Sequence, residues 1–450
     1  MFLIIDTILI SSCILSIVNF KWGFFLYLLL GFIIPGFVYF TLGGLTININ
    51  DLLLLSLVLS FLLHKKYLRK DFTNLQIRKL LSVYVISTLL LTFFASYVPF
   101  STQFYGFVKG TLFHEAMPII FAFYAFSDAK LDDFIINKVL IWLVIFIGFY
   151  GVFCYITNEN PYIKIINLLY LNEYRFEYFL TEIRGGLSGR VSGTTNHPLT
   201  WGQLWGILLA FFVVNKNKIK HTQFMIIAIL SCLNILFSGS RTALISLFPV
   251  IICYIMSNGR IKKNAYRSVL LVFLLVGISI ILPNNIQIYI KSAVFFWDET
   301  ISNKAEINGS NVGMRIEQLN TTLSDVAKEN LIAGYGLGYR EYATIKNVRN
   351  EDMLGFESIV FSKMYEQGLI GLICFFLYLF QFYSLGIKTI SKNKRLLFTG
   401  YFLSYILSIL FTGNQNSLNW FVFLGLLIIV SEKSDEIYKC HNKLMNNLNI

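Results

Sequence analysis

Charged residues are scarce in this sequence of 450 residues: they make up 14% of the chain, whereas apolar residues make up 56%. A soluble domain carries about 25% charged residues, so this chain has too little polar surface to cover a globule in water. The composition excludes a soluble globular protein and a disordered one. A polytopic membrane protein remains, because each span needs about 20 predominantly apolar residues.

Several short motifs are also missing. The six cysteines form no CxxC or metal-ligand spacing, so a disulfide framework is not expected. No HExxH, Walker, serine-elbow or DxD motif is present, and we expect no metal and no cofactor. Because the first twenty residues lack a basic n-region and a cleavage site, we interpret them as a retained span.

Apolar runs are abundant, and they predict an all-α, polytopic transmembrane helical bundle of 12 or 13 spans. Residues 1–450 are expected to form a single integral membrane domain. The runs fall at about 2–18, 22–40, 50–63, 79–98, 112–127, 134–156, 199–214, 222–237, 242–256, 268–283, 362–387, 395–412 and 417–431.

Four short loops carry much of the positive charge. Residues 64–79, 215–221, 257–268 and 388–395 together hold 17 basic residues and one acidic residue. Lys and Arg gather in cytoplasmic loops, so with thirteen spans we expect the N-terminus outside and the C-terminus inside. The net charge of +12 is therefore interpreted as a sign of topology and not of nucleic-acid binding.

Two long segments then face outward, the outer loop 157–198 and the large outer loop 284–361, and neither has a basic excess. The second is too long for a plain connection, so we expect short amphipathic helices in it. Residues 285–297 are a candidate for the membrane interface. Over 313–330, four apolar residues recur at helical spacing: Ile316, Leu319, Leu323 and Val326.

Arginines on the outer side are informative, because the preference of basic residues for the cytoplasmic side does not explain them. Arg241 follows Ser240 in a very short turn between two apolar runs, and Ser240 is expected to cap the next helix. A helix N-terminus with an adjacent arginine favours binding of phosphate or pyrophosphate. The alternative is an arginine that snorkels to the interface.

A segment rich in small residues precedes the run at 199–214 and contains Arg184, Arg190 and His197. Small residues let the backbone approach a ligand closely, and His197 is a candidate proton carrier. The alternative is an ordinary solvated loop, which is the favoured interpretation for Arg184. A loop histidine is also more often without a catalytic role.

The large outer loop holds further candidates. Arg315 opens its amphipathic helix, and Gly334-Tyr-Gly336-Leu-Gly338 is interpreted as a turn that re-enters the membrane, not as a nucleotide loop. Glu357 and Glu366 flank the start of the next span, where carboxylates are costly and therefore functional candidates. Glu357 is a candidate general base, and the alternative is an acid that caps the helix.

His114 and Glu115, at the outer start of another span, form a weaker candidate pair.

Three ordered segments resemble the family of O-antigen polymerases and O-antigen ligases. Arg190-Val-Ser-Gly193-Thr…Asn196-His-Pro198 is similar to the family's Arg-x-x-Gly-Thr…Asn-Pro segment, and Ser240-Arg241-Thr242-Ala243 to its Ser-Arg-Thr turn. The block from Arg315 through Gly334-Tyr-Gly336 to Glu357-Ser358…Glu366-Gln-Gly368-Leu-Ile-Gly371 resembles its large outer loop and exit helix. The resemblance covers about residues 185–385.

The resemblance implies metal-independent glycosyl transfer at the outer leaflet of the bacterial cytoplasmic (inner) membrane. The donor would be an oligosaccharide linked to undecaprenyl pyrophosphate, with Arg190, Arg241 and Arg315 holding the pyrophosphate. An acid or a histidine would deprotonate the acceptor hydroxyl. The partners would be the lipid bilayer, this lipid-linked oligosaccharide, a flippase and a chain-length regulator.

The resemblance also bears on which reaction is expected. Ligase-like members commonly have His-Asn where this chain has Glu357-Ser358. This favours a polymerase of repeat units for O-antigen, capsule or exopolysaccharide, with Glu357 as its base. The alternatives are a ligase that passes glycan to another acceptor and a flippase or transporter of lipid-linked oligosaccharides.

A transporter usually places ionisable residues near the bilayer midplane and often has two related halves. Here the candidates cluster at the outer rim and no similarity between halves is visible, so an enzyme is favoured.

Overall fold

The computed structural model describes residues 2–34, 38–42, 45–64, 74–125, 135–170, 183–184, 187–257, 312–346, 358–412 and 416–447, with isolated positions between 284 and 300. Within them the chain is mainly helical, which confirms the predicted all-α fold. Two short antiparallel hairpins interrupt it, β1 (Tyr39–Leu42) with β2 (Leu45–Asn48) and β3 (Ile183–Arg184) with β4 (Leu187–Ser188).

The described helices are, in chain order, α1 (Phe2–Val18), α2 (Phe20–Ile33), α3 (Ile49–His64), α4 (Asn74–Phe94), α5 (Phe100–Gly106), α6 (Met117–Ala125), α7 (Ile141–Thr157), α8 (Pro161–Tyr170), α9 (Pro198–Val214), α10 (His221–Phe237), α11 (Arg241–Ser257), α12 (Val312–Glu329), α13 (Tyr339–Lys346), α14 (Ile359–Thr389), α15 (Lys392–Phe411) and α16 (Asn416–Asn447). Two π-helical stretches, Phe107–Ala116 and Ile135–Leu140, precede α6 and α7.

Each predicted span whose residues the structure describes contains a helix. The span predicted at 268–283, and most of the interfacial stretch predicted at 285–297, lie outside the described residues. Three helices are long and apolar enough to cross a membrane: Lys138–Thr157, Ile359–Thr389 and Lys392–Phe411. Shorter apolar helical stretches of 10–17 residues also occur, among them Leu81–Phe94 within α4 and Ser417–Glu432 within α16. Stretches of this length rise about 15–26 Å, against a hydrocarbon core of about 30 Å.

Helix α9 lies at the centre of the bundle, packed against α10, α11, α15 and α16. Every residue of α9 except Leu199 is buried, as expected of a helix that is apolar all round. Trp201 Nε1 donates to Asn234 Oδ1 at 3.1 Å, and Asn234 Nδ2 donates to the Gly148 carbonyl at 3.0 Å. These bonds satisfy buried polar groups and link α9, α10 and α7.

Several helix ends meet at one end of the bundle, which we term the loop end. Here α9, α11 and α14 begin, and α10 and α15 end. The Ile359 amide donates to the Thr412 carbonyl at 3.3 Å, and Gln203 Nε2 donates to Ser408 Oγ at 2.6 Å. The basic loops 215–221 and 388–395 lie at the opposite ends of these helices.

Helix α12 confirms the helix predicted at 313–330, but it does not bury the whole apolar stripe. Val326 is buried together with the polar residues Gln318 and Thr322, and α12 packs on α14. An exposed apolar stripe is typical of a helix that lies in a membrane interface. Three residues form it: Ile316, Leu319 and Leu323.

Candidate active site

Arg190 lies in the loop that precedes α9 and packs against the turn between α10 and α11. Arg190 is buried, and its Nε donates a hydrogen bond to the Ser238 carbonyl at 3.1 Å. The loop runs beside the turn, since the Val191 amide donates to the Phe237 carbonyl at 2.9 Å. Gly239 has a φ of +62°, and a Cβ there would lie 3.1 Å from Arg190 Nε. Glycine therefore suits both the backbone of the turn and the close approach of the guanidinium.

Arg241 is the first residue of α11 and is only 8% exposed. Ser240 caps this helix as predicted, because its Oγ accepts from the Ala243 amide at 3.3 Å. The burial disfavours the snorkelling alternative, in which the guanidinium reaches the interface. Arg190 and Arg241 thus flank one glycine turn at a helix N-terminus, where the dipole favours an anion.

Arg315 reaches the loop end through another contact. Its Nη1 donates to the carbonyl of Phe411, the last residue of α15, at 2.9 Å, and its guanidinium carbon lies 5.3 Å from the centre of the Phe411 ring. A cation at a helix C-terminus is favoured by the helix dipole. The contact gives Arg315 an anchoring role that the sequence did not predict.

His197 caps α9. Its Nδ1 accepts from the Leu199 amide at 3.0 Å, so Nε2 carries the proton when the ring is neutral. This arrangement favours the structural alternative for His197 over the role of proton carrier.

Arg184 and Glu357 are two further candidates from the sequence. Arg184 lies in β3 with its Cα opposite Leu187 of β4. Glu357 lies outside the described residues. The next residue, Ser358, caps α14, and its Oγ donates to the Ile409 carbonyl at 3.1 Å, which places the start of α14 beside the end of α15.

Helix α14 is broken at Gly368, whose φ of +62° and ψ of −162° are not helical. The segment 331–335 packs into the break, so the glycine-rich turn predicted to re-enter the membrane inserts into a membrane-spanning helix. A Cβ on Gly368 would lie 2.4 Å from the Ile332 carbonyl oxygen. Three backbone hydrogen bonds join the two parts: Leu369 N–H to Leu331 O (3.0 Å), Ile370 N–H to Ile332 O (3.3 Å) and Tyr335 N–H to Tyr365 O (2.7 Å).

A polar cavity of about 450 Å³ lies beside the first half of α14. One wall is the π-helix Phe107–Ala116, and the other is the start of α14 with the inserted turn. π-Helical turns are rare and are frequent at functional sites. The cavity brings the predicted Glu366 together with the weaker predicted pair, His114 and Glu115.

Asp51, in the first turn of α3, lies close to two residues of the cavity, His114 and Lys109. Its Oδ1 lies 2.9 Å from His114 Nε2, and its Oδ2 lies 3.7 Å from Lys109 Nζ. Asp51 therefore ties the start of α3 to the π-helical wall of the cavity.

A second network stabilises the wall formed by α14. Lys363 is 3% exposed, and its Nζ donates to Tyr84 Oη at 2.7 Å. Tyr84 Oη in turn donates to Glu115 Oε2 at 2.7 Å, and Lys363 Nζ lies 3.6 Å from Glu115 Oε1. The buried ammonium is thus compensated by a carboxylate, as buried charges require.

Sequence reasoning missed Asp51, Lys109 and Lys363. Lys363 lies inside a predicted span and Asp51 at the start of one, so treating every ionisable residue in a span as a candidate would have found both. Lys109 precedes the predicted span at 112–127 and carries no such signal. Among the residues that the structure describes, no group of three or more His, Cys, Asp or Glu side chains is arranged to hold a metal ion.

A smaller pocket of about 70 Å³ has one lining residue in common with the cavity. It is bordered by Thr194, Thr195 and Asn196, from the loop that follows Arg190, and by Asn419 of α16. Asn419 also lines the polar cavity. The two pockets are therefore neighbours at Asn419.

The fold and this site define a multi-pass membrane protein with buried arginines and a polar cavity among its helix ends. Residues 226–376 match the family model described as O-Antigen ligase. This stretch, about a third of the chain, is therefore similar to a domain of the O-antigen ligase and polymerase family. No curated protein and no solved structure matches the chain.

The matched residues include part of the site. Arg241, Arg315, Glu357 and Glu366 lie within 226–376. The segment with Arg190 and His197 precedes the match, as does the π-helical wall of the cavity. The resemblance that the sequence suggested over 185–385 is confirmed over the matched part.

Proposed function

We propose that this protein is a polymerase of lipid-linked oligosaccharide repeat units. It transfers glycan from undecaprenyl pyrophosphate to an acceptor repeat unit at the outer leaflet of the bacterial cytoplasmic membrane. The observation that carries the proposal is the pair Arg190 and Arg241, which flank a glycine turn at a helix N-terminus. Two buried guanidinium groups and the first N–H groups of a helix suit a diphosphate leaving group.

The reaction is a substitution at the anomeric carbon of the donor sugar. The acceptor hydroxyl oxygen forms a bond to this carbon, the bond from the carbon to the pyrophosphate oxygen breaks, and undecaprenyl pyrophosphate leaves. Arg190 and Arg241 stabilise the negative charge that develops on the leaving group. The hydroxyl proton passes to Glu357, which precedes the Ser358 cap of α14.

The choice of polymerase rests on Glu357-Ser358, where ligase-like members commonly carry His-Asn. A ligase that passes glycan to a different acceptor is the second candidate, and the description of the matching family model favours it. The two activities share the donor and the leaving group, so they differ only in the acceptor.

The test uses the purified protein in liposomes, with a lipid-pyrophosphate repeat unit as the sole glycan. A ladder of products of increasing length supports the polymerase. Transfer that occurs only after a second acceptor is added replaces it with the ligase. A repeat unit that crosses the bilayer unchanged replaces both with a transporter.

In the same assay, Arg241→Ala is expected to slow chain growth by on the order of 10²–10³, the cost of losing one donor that stabilises developing charge. Arg190→Ala is expected to act in the same direction. The matched control is Arg340→Ala, because Arg340 is an exposed arginine of α13. Wild-type chain length and amount from Arg241→Ala would remove Arg241 from the site.

A further inference from the structure

The polar cavity differs from the arginine turn in its balance of charge. Lys109 and Lys363 line it together with Glu115 and Glu366, so these formal charges cancel when His114 is neutral. A balanced lining gives a diphosphate no electrostatic advantage. It does supply ammonium donors and carboxylate acceptors, which are the groups that bind neutral hydroxyls.

The size and position of the cavity also fit a sugar. Its volume of about 450 Å³ falls within the range of roughly 300–1,000 Å³ that is typical of small-molecule sites. It shares Asn419 with the pocket bordered by Thr194–Asn196, a few residues after Arg190. The cavity thus neighbours a pocket that is bordered by the loop carrying one of the arginines proposed to bind pyrophosphate.

We propose that this cavity binds the sugar of the acceptor repeat unit, and that His114 accepts a hydrogen bond from one of its hydroxyl groups. The proposal rests on the proposed glycan transfer and gives the acceptor a site apart from the pyrophosphate. His114 lines the cavity, and its Nε2 lies 2.9 Å from Asp51 Oδ1. Asp51 is a positioning residue, which fixes the orientation of the ring.

Gly110 offers a way to fill the cavity while leaving its walls in place. It lines the cavity, it is not among the glycines with positive φ, and a Cβ on it would meet no atom within 4 Å. Gly110→Phe therefore places a ring in open space, whereas Gly110→Ala at the same position leaves most of the space free.

The probe is the free repeat-unit oligosaccharide, released by mild acid from the same lipid-linked repeat unit. It keeps the acceptor hydroxyls but lacks pyrophosphate, so it accepts glycan and does not donate it. We expect Gly110→Phe to raise the KM for this acceptor at least about tenfold, with Gly110→Ala close to wild type.

His114→Gln is expected to raise the same KM by about tenfold, the effect of one lost hydrogen bond, and to leave kcat within about twofold. Asp51→Asn is expected to raise it too, and Asp51→Glu to restore part of the affinity. The control is His221→Gln, since His221 is exposed at the opposite end of α10.

The outcomes separate this inference from the proposed function. An unchanged KM in Gly110→Phe and His114→Gln, with intact product ladders, would overturn the acceptor site and leave glycan transfer standing. A lowered kcat with unchanged KM in His114→Gln would overturn the hydrogen-bonding role. If no variant or wild type forms product, but saturation-transfer NMR detects the oligosaccharide on wild type and not on Gly110→Phe, the cavity binds sugar and the proposed transfer is wrong.

Discussion

At the scale of single residues, the three arginines at the loop end differ in what surrounds them. Arg190 lies along a turn in which Gly239 leaves room for it, and Arg241 begins a helix. Arg315 bonds to a helix C-terminus through Phe411. The first two arginines lie where an anion is stabilised, whereas Arg315 meets a carbonyl that itself attracts a cation.

Arg315→Met tests this difference. Because the variant loses a charge-assisted hydrogen bond to Phe411, we expect the free energy of unfolding to fall by about 1.5–3 kcal/mol. Thermal unfolding in detergent measures it, with Arg340→Met as the exposed control. Unchanged stability, together with chain growth as slow as in Arg241→Ala, would instead make Arg315 a ligand of the substrate.

At the scale of elements, the break in α14 explains the glycine-rich motifs of the outer loop. Gly334 has a φ of +73°, and a Cβ there would lie 2.5 Å from the Tyr365 carbonyl oxygen. A Cβ on Gly368 would likewise lie 2.4 Å from the carbonyl oxygen of Ile332, two residues before Gly334. Irregular backbone at membrane depth is tolerated where it is buried in protein, and Gly334 and Gly368 are both buried.

Gly368→Ala is expected to destabilise the protein and abolish transfer. A positive φ with an extended ψ is essentially restricted to glycine and costs another residue about 1–3 kcal/mol, and the Cβ of alanine would also lie 2.4 Å from the Ile332 carbonyl oxygen. The melting temperature and the product ladder measure the two effects. Gly31→Ala is the control, because its nearest neighbouring atom lies 3.9 Å away; equal melting temperatures for both variants would refute the tight fit at Gly368.

At the scale of the whole molecule, the arginine turn, the cavity and the inserted loop lie at the end of the bundle away from the basic loops 215–221 and 388–395. From the positive-inside tendency we expect the site on the extracytoplasmic side. Alkaline phosphatase fused after Arg340 is expected to be active, and the same enzyme fused after Lys218 inactive. Activity of the Lys218 fusion would reverse the orientation of the bundle and of the site.

The sequence allowed much of the bundle to be predicted, because runs of apolar residues in a membrane protein have few alternatives to helices. It also made Arg190 and Arg241 candidates from the residues beside each of them, although the contact of Arg190 with Ser238 joins positions 48 residues apart. The cavity was not predictable in the same way. Lys363 and Tyr84 are 279 positions apart, and such pairings depend on how helices pack and not on any local pattern.

The apolar stripe of α12 did not indicate which face of the helix packs on protein, for a related reason. Its spacing correctly predicted a helix, but Ile316, Leu319 and Leu323 stay exposed. In a water-soluble protein an apolar stripe is buried in the core. Beside a bilayer, lipid surrounds apolar side chains as favourably as a protein core does. The spacing of apolar residues along a helix therefore does not reveal which of its faces packs on protein.

The inserted segment makes one helix depend on residues that lie outside it. The amides of Leu369 and Ile370 donate to the carbonyls of Leu331 and Ile332, and not to carbonyls of α14. An unsatisfied amide in hydrocarbon costs several kcal/mol. The shape of α14 and the position of the segment 331–335 are therefore coupled, so a change that displaces the segment also changes the helix that bears Lys363 and Glu366 of the cavity.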